Sequence, residues 1–317
     1  MTLKPTGAAL AALALSVAPL RAEVPQVVTD IAPVHSLVAQ VMGDLADPGL
    51  ILPPGASPHG YALRPSLAGD LQEADVVFWI GEALTPWLEG PLERLAGGAL
   101  QVELIEAPGT TQLPYREGAT LQEPHAGHAE SETGHEAGHE GHFHDELDPH
   151  AWLDPENARA WLSVIAKTLA EADPEHATLY RSNADAAREA LADQQQALAA
   201  AVQFPDPLRF VVFHDGYQYF EHRFGLKSLG AISDSAAASP GAARIAELRD
   251  ALLDQGIDCI FAEPQFNSGL ARSLSEDAAL RIEVIDPLGS GLSAGPKLYG
   301  QLLDDMARSF STCRAPA

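Results

Sequence analysis

Short apolar runs rich in β-branched residues recur along the chain, and most are followed by stretches whose apolar positions return with helical period. The runs are QVVTDIA (26–32), GLILP (49–53), ADVVFWIG (74–81), LQVELIEA (100–107), LRFVVFHD (208–215), LKSLGAI (226–232), DCIFAEP (258–264) and RIEVIDP (281–287). Each is short, bounded by Gly, Pro or Asp, and predicts a strand. Residues 33–42, 64–73, 242–255 and 268–279 carry the 3.6-residue period of helices packed on one face. Strands that alternate with helices predict an α/β fold with parallel sheets covered by helices. Four runs precede residue 110 and four follow residue 207, which divides the chain into two lobes, each with a mostly parallel four-stranded sheet and flanking helices.

Between the lobes the pattern is helical throughout. Residues 155–172 predict a helix opened by Asp154 as N-cap, with Pro155 at its first position. From Glu175 to Phe204 there is neither glycine nor proline, and Ala, Leu, Gln and Glu dominate. Those residues predict one stiff helix of about 45 Å at 1.5 Å rise per residue. The expected organisation is an N-terminal lobe over 23–153, a helical connector over 154–204 and a C-terminal lobe over 205–317. Ahead of them, residues 1–22 carry Lys4, an alanine-rich apolar run and a small-residue end at Ala22, the pattern of a secretory signal peptide.

Composition narrows the partners. Acids outnumber bases 44 to 19, for a formal net charge of −25, and residues 1–22 contain Lys4 and Arg21 but no acid, so the mature chain is more acidic still. Phosphate backbones demand the opposite sign, and nucleic acid is excluded as a partner. There are only two cysteines, Cys259 and Cys313. In an exported protein such a pair is expected to form one disulfide, and a thiolate zinc site would need closely spaced cysteines that the chain lacks.

Histidine is distributed in two ways. Residues 122–146, within an expected surface loop over 115–147, hold His125, His128, His135, His139, His142 and His144 among seven acids, with Phe143 as the one large apolar residue. Such a segment cannot bury enough surface to offset its ordering entropy, and it is expected to act as a weak, adaptable metal collector. It contains HEAGH, a literal zinc-protease pattern. The flanking glycines and the lack of an apolar stripe deny it the buried helix that such a protease needs. Elsewhere, His59 follows a strand in LPPGASPHGYALRPS, His150 lies in LDPHAWLDP and His214 ends a strand in FVVFHDGY. Glu263 and Asp286 also close strands. Ligands of open parallel sheets bind at the carboxyl ends of strands, and three imidazoles with a carboxylate or water suit tetrahedral Zn²⁺.

The phrases GASPHGYALRPS, DPHAWLDP, FVVFHDGYQYFEHRFGL, CIFAEPQF and VIDPLG, in that order, resemble the periplasmic zinc-binding proteins of ABC importers (the ZnuA type of metal-binding solute-binding proteins). The resemblance covers essentially the whole chain after residue 22. It implies two α/β lobes joined by a long rigid helix, with metal in the cleft between them and His59, His150 and His214 as zinc ligands. It also implies the Cys259–Cys313 disulfide, a periplasmic location, a monomer, and transfer of Zn²⁺ to a membrane permease, with a periplasmic metallochaperone as a second conceivable partner. Manganese-binding relatives carry a glutamate at the place of His214, and nitrogen donors favour zinc. Some zinc-binding members place a ligating glutamate before the first histidine; this chain has Pro58 there. The fourth position falls to Asp286, Glu263 or water. A periplasmic zinc chaperone or buffer remains the alternative function. A zinc hydrolase or lyase is the alternative from another class, but no separate general base is evident and no enzymatic activity is expected.

Overall fold

The computed structural model describes residues 24–116, 147–232, 249–252, 254–266 and 280–314. The expected signal peptide, the His/acid-rich stretch at 117–146 and the expected helix at 268–279 lie outside the described residues, and the helix expected at 242–255 is described only from residue 249. In the first lobe β1 (Val27–Thr29), β2 (Gly49–Leu50), β3 (Val76–Trp79) and β4 (Leu100–Glu103) form a wholly parallel sheet in the order β2-β1-β3-β4. The crossovers contain α1 (Ala32–Met42), α2 (Pro65–Glu73) and α3 (Pro86–Leu95). In the second lobe β5 (Phe210–Val212), β6 (Cys259–Ala262) and β7 (Arg281–Val284) pair in parallel in that order.

Side-chain alternation explains why the central strands of both sheets are buried on two faces. Val76, Phe78 and Ile80 enter one apolar cluster, while Val77 and Trp79 enter another. In the second lobe Cys259 and Phe261 face the first of those clusters, and Ile260 and Ala262 face the opposite side. A period of two with apolar residues at every position is the mark of a strand covered from both sides.

The connector is a helical hairpin. Helix α4 (Pro155–Ala172) begins where Asp154 accepts a hydrogen bond from the Glu156 N–H. Helix α5 (Ala177–Ala201) folds back along it and also touches α1 and the last helix, α7 (Leu298–Arg314), so it contacts both lobes. One apolar cluster runs from Val27 to Cys313 and includes residues of both sheets and of the hairpin. Polar bonds cross between the lobes beside it. Trp152 donates from Nε1 to the Pro287 carbonyl at 2.7 Å, and the Tyr299 N–H donates to Ser36 Oγ at 3.0 Å. Cys259 and Cys313 form the disulfide, joining β6 to α7 with Cα atoms 5.7 Å apart.

The second sheet differs from expectation. Among the described residues the 226–232 run contributes one parallel bridge, Val212 to Ala231, rather than a full strand. Glu221 of α6 (Gln218–Phe224) accepts bonds from the Ser228 N–H and Oγ–H, which draws the start of that run out of the ladder.

Candidate metal centre

Each expected ligand is placed by its own anchor. His59 follows Pro58, whose carbonyl accepts from Trp87 Nε1 of α3 at 2.7 Å. His150 precedes a buried 3-10 turn (Ala151–Leu153). Its segment is held by Tyr219, whose hydroxyl donates to the Asp148 carbonyl and accepts from the Leu113 N–H, each at 2.9 Å. His214 lies two residues past β5, at the carboxyl end of the second sheet.

These three segments bring the imidazoles into one group. Nε2 of His150 is 3.2 Å from Nε2 of His59 and 3.3 Å from Nε2 of His214. Nitrogens at 2.0–2.1 Å from a tetrahedral Zn²⁺ stand about 3.3 Å apart, so both separations fit one shared ion. Among the described residues this is the one group of three or more His, Cys, Asp or Glu whose donor atoms converge.

The tautomers are set from behind. Asp148 Oδ1 receives Nδ1–H of His150 at 2.7 Å, and Glu263 Oε1 receives Nδ1–H of His214 at 2.6 Å. Both carboxylates are buried, Asp148 completely. With Nδ1 as donor in each neutral ring, both Nε2 atoms present lone pairs toward each other, and only a shared proton or cation relieves that contact. Burial, then repulsion from the other two rings, lowers the His59 pKa to about 3. Burial, reinforced by His214, carries His150 well below the usual value. Burial also opposes a charge on His214, but the charge and hydrogen bond of Glu263, joined by the charges of Asp148 and Asp215, outweigh it and the pKa is raised. Two of the three rings are thus held neutral, the state in which imidazole binds metal.

Asp286, expected together with Glu263 or water as a candidate for the fourth position, stands outside the converging group. Its Oδ1 accepts from the Leu288 and Gly289 N–H groups and from the Gln265 amide, and its Oδ2 accepts from the Ser290 N–H. The turn after β7 wraps around that carboxylate and occupies both oxygens. Glu263 is committed to His214 Nδ1. Sequence reasoning passed over Asp148, although an acid two residues before a candidate ligand was a readable signal. His125, His128, His135, His139, His142 and His144 lie outside the described residues.

The chain matches, over residues 27–313, the profile of the ZnuA family, described as zinc-uptake complex component A, periplasmic. It is 40% identical over 283 residues to the high-affinity zinc uptake system protein ZnuA of Brucella abortus (strain 2308), covering 84% of each chain. It is 40% identical over 312 residues to the protein of the same name from Paracoccus denitrificans (strain Pd 1222), covering 96% of each. In fold it is similar to a crystal structure of ZnuA, with a TM-score of 0.72 at 21% identity over 92% of this chain and 100% of that one. With that profile matched along nearly its whole length, the chain belongs to the ZnuA family of periplasmic zinc-uptake components.

Proposed function

We propose that the protein captures Zn²⁺ in the periplasm and delivers it to the membrane permease of an ABC-type zinc importer. Nε2 of His59, His150 and His214 bind the ion, and water fills the fourth position. Two Nε2 atoms 3.3 Å apart, each ring fixed by a buried carboxylate behind it, carry this reading. Zinc is cargo here, bound and released unchanged, and no side chain is assigned a chemical step on it. The lobes at 23–153 and 205–317 each contribute a wall of the site, His150 stands where the first lobe meets the 154–204 connector, and the His-rich segment collects zinc weakly nearby. Among the described residues no helix is long and apolar enough to cross a membrane.

Titration of the purified, chelator-stripped protein tests the proposal. One tight Zn²⁺ equivalent is expected, with Mn²⁺ far weaker, since manganese stands at the low end of the divalent affinity order. His59→Ala, His150→Ala and His214→Ala should each weaken zinc by more than about 100-fold, the upper end of what loss of a mere supporting group costs. Comparable Mn²⁺ and Zn²⁺ affinities would overturn the metal assignment, and a parent-like variant would remove its residue from the ligand set.

A further inference from the structure

Gly216 is two residues past His214, in the turn that leads to α6, and its N–H donates to the His214 carbonyl at 2.9 Å. Its backbone is not in the left-handed region that favours glycine. The reason for a missing side chain must therefore be space. A Cβ at this position would lie 2.5 Å from Nε2 and 2.8 Å from Cε1 of His214, and 3.1 Å from Nε2 of His150. The three nearest atoms that a methyl group would meet thus belong to two of the imidazoles, and two of them are the nitrogens expected to hold the metal. Gly60, beside His59, gives the contrast: a Cβ there would meet nothing within 4 Å.

Neither ring can step aside freely. His214 is tied through Nδ1 to Glu263, and the Phe266 ring stands edge-on at 5.2 Å between centroids. His150 is tied to Asp148 and flanked by Trp152 at 5.2 Å. Contacts of 2.5 and 2.8 Å lie well inside carbon–nitrogen and carbon–carbon packing distances of about 3.5–4.0 Å, so a ring must move or tilt. Any such movement separates nitrogens whose spacing fits a single ion.

We infer that Gly216 is a positioning residue of the zinc site, whose absent side chain lets His150 and His214 bring their Nε2 atoms to one ion. The inference rests on the three-histidine reading given above. A double-mutant cycle tests it, with zinc affinity read by competition titration and folding by melting of the metal-free protein. Gly216→Ala should weaken zinc by about 10- to 100-fold, the range for groups that orient a metal ligand, while Gly60→Ala leaves it unchanged. With His214→Ala in place the clashing ring is gone, so adding Gly216→Ala should cost little more. A parent-like Gly216→Ala beside a weakened His214→Ala overturns this inference alone, as does a second full loss in the double variant. A parent-like His214→Ala overturns the ligand set and this inference together. Should Gly216→Ala fail to fold, the double variant decides: its folding like His214→Ala supports the clash as the cause, and its failure refutes it.

Discussion

Glu263 stands behind the His214 ring, bonded to its Nδ1, and its charge bears on how a proton competes for that histidine. With Asp148 and Asp215 it raises the His214 pKa above the ordinary 6.5 and lets the empty site hold a proton that zinc must displace. Zinc affinity should fall as pH drops through that raised value, while His59, at about 3, stays neutral throughout. The metal-free fold has the matching dependence: this pair contributes stability that is complete below pH 6.5 and is lost as pH rises through the folded-state value. Glu263→Gln keeps an oxygen to accept Nδ1–H but removes the charge. Its zinc affinity at alkaline pH should fall by about 10- to 100-fold, and its loss of binding in acid should begin at lower pH than in the parent. Competition titrations across the acid and neutral range check both shifts; an unmoved pH profile would show that Glu263 acts by shape alone.

At the scale of elements, legibility followed how local the cause was. Helix α4 spans Pro155–Ala172, the range predicted from Asp154 and Pro155, because capping is decided within a few residues. Helix α5 is shorter at both ends than the glycine-free stretch that predicted it. Helix α3 went unpredicted with Pro91 in its interior, as did α7, whose apolar stripe is shared between α5 and the second sheet. His59, His150 and His214, which the structure brings together, were legible as candidates from their places past strands or beside prolines. The commitment of Asp286 was not, because it depends on a turn that turns several N–H groups inward. The residues flanking the His-rich segment offer a further test. Leu147 bridges Pro114 in antiparallel fashion, the Asp148 N–H donates to the Leu113 carbonyl at 2.9 Å, and Arg116 is ion-paired with Asp215 and Glu221. With its roots so joined, deleting residues 123–144 should leave the tight zinc equivalent intact. It should remove weaker equivalents, because the segment supplies many donors with no fixed geometry. Calorimetric titration separates the two classes, and loss of the tight event with survival of the weak ones would reverse their assignment.

At the scale of the whole molecule, the described residues form two sheets but one principal apolar cluster, and α1 of the first lobe touches α7 of the second. Neither lobe can unfold without exposing surface that the other covers. Scanning calorimetry of the metal-free protein should therefore give one cooperative transition, and zinc should move it as a unit. At a free concentration 1,000 times the dissociation constant, the ion adds about 4.1 kcal/mol. Two separable peaks would show that the lobes are thermodynamically independent. The spacing of the histidines along the chain has a consequence for the fate of the empty protein. An ion gripped by all three would close rings of 91 and 64 residues, both larger than the 54-residue ring sealed by the disulfide. Larger rings take more freedom from an opened chain. Handing over the cargo undoes both closures in one step, leaving the sulfur link as the remaining cross-tie. The unloaded protein is then the form that opens more often and meets proteases first, so zinc supply would set its lifetime as well as its occupancy.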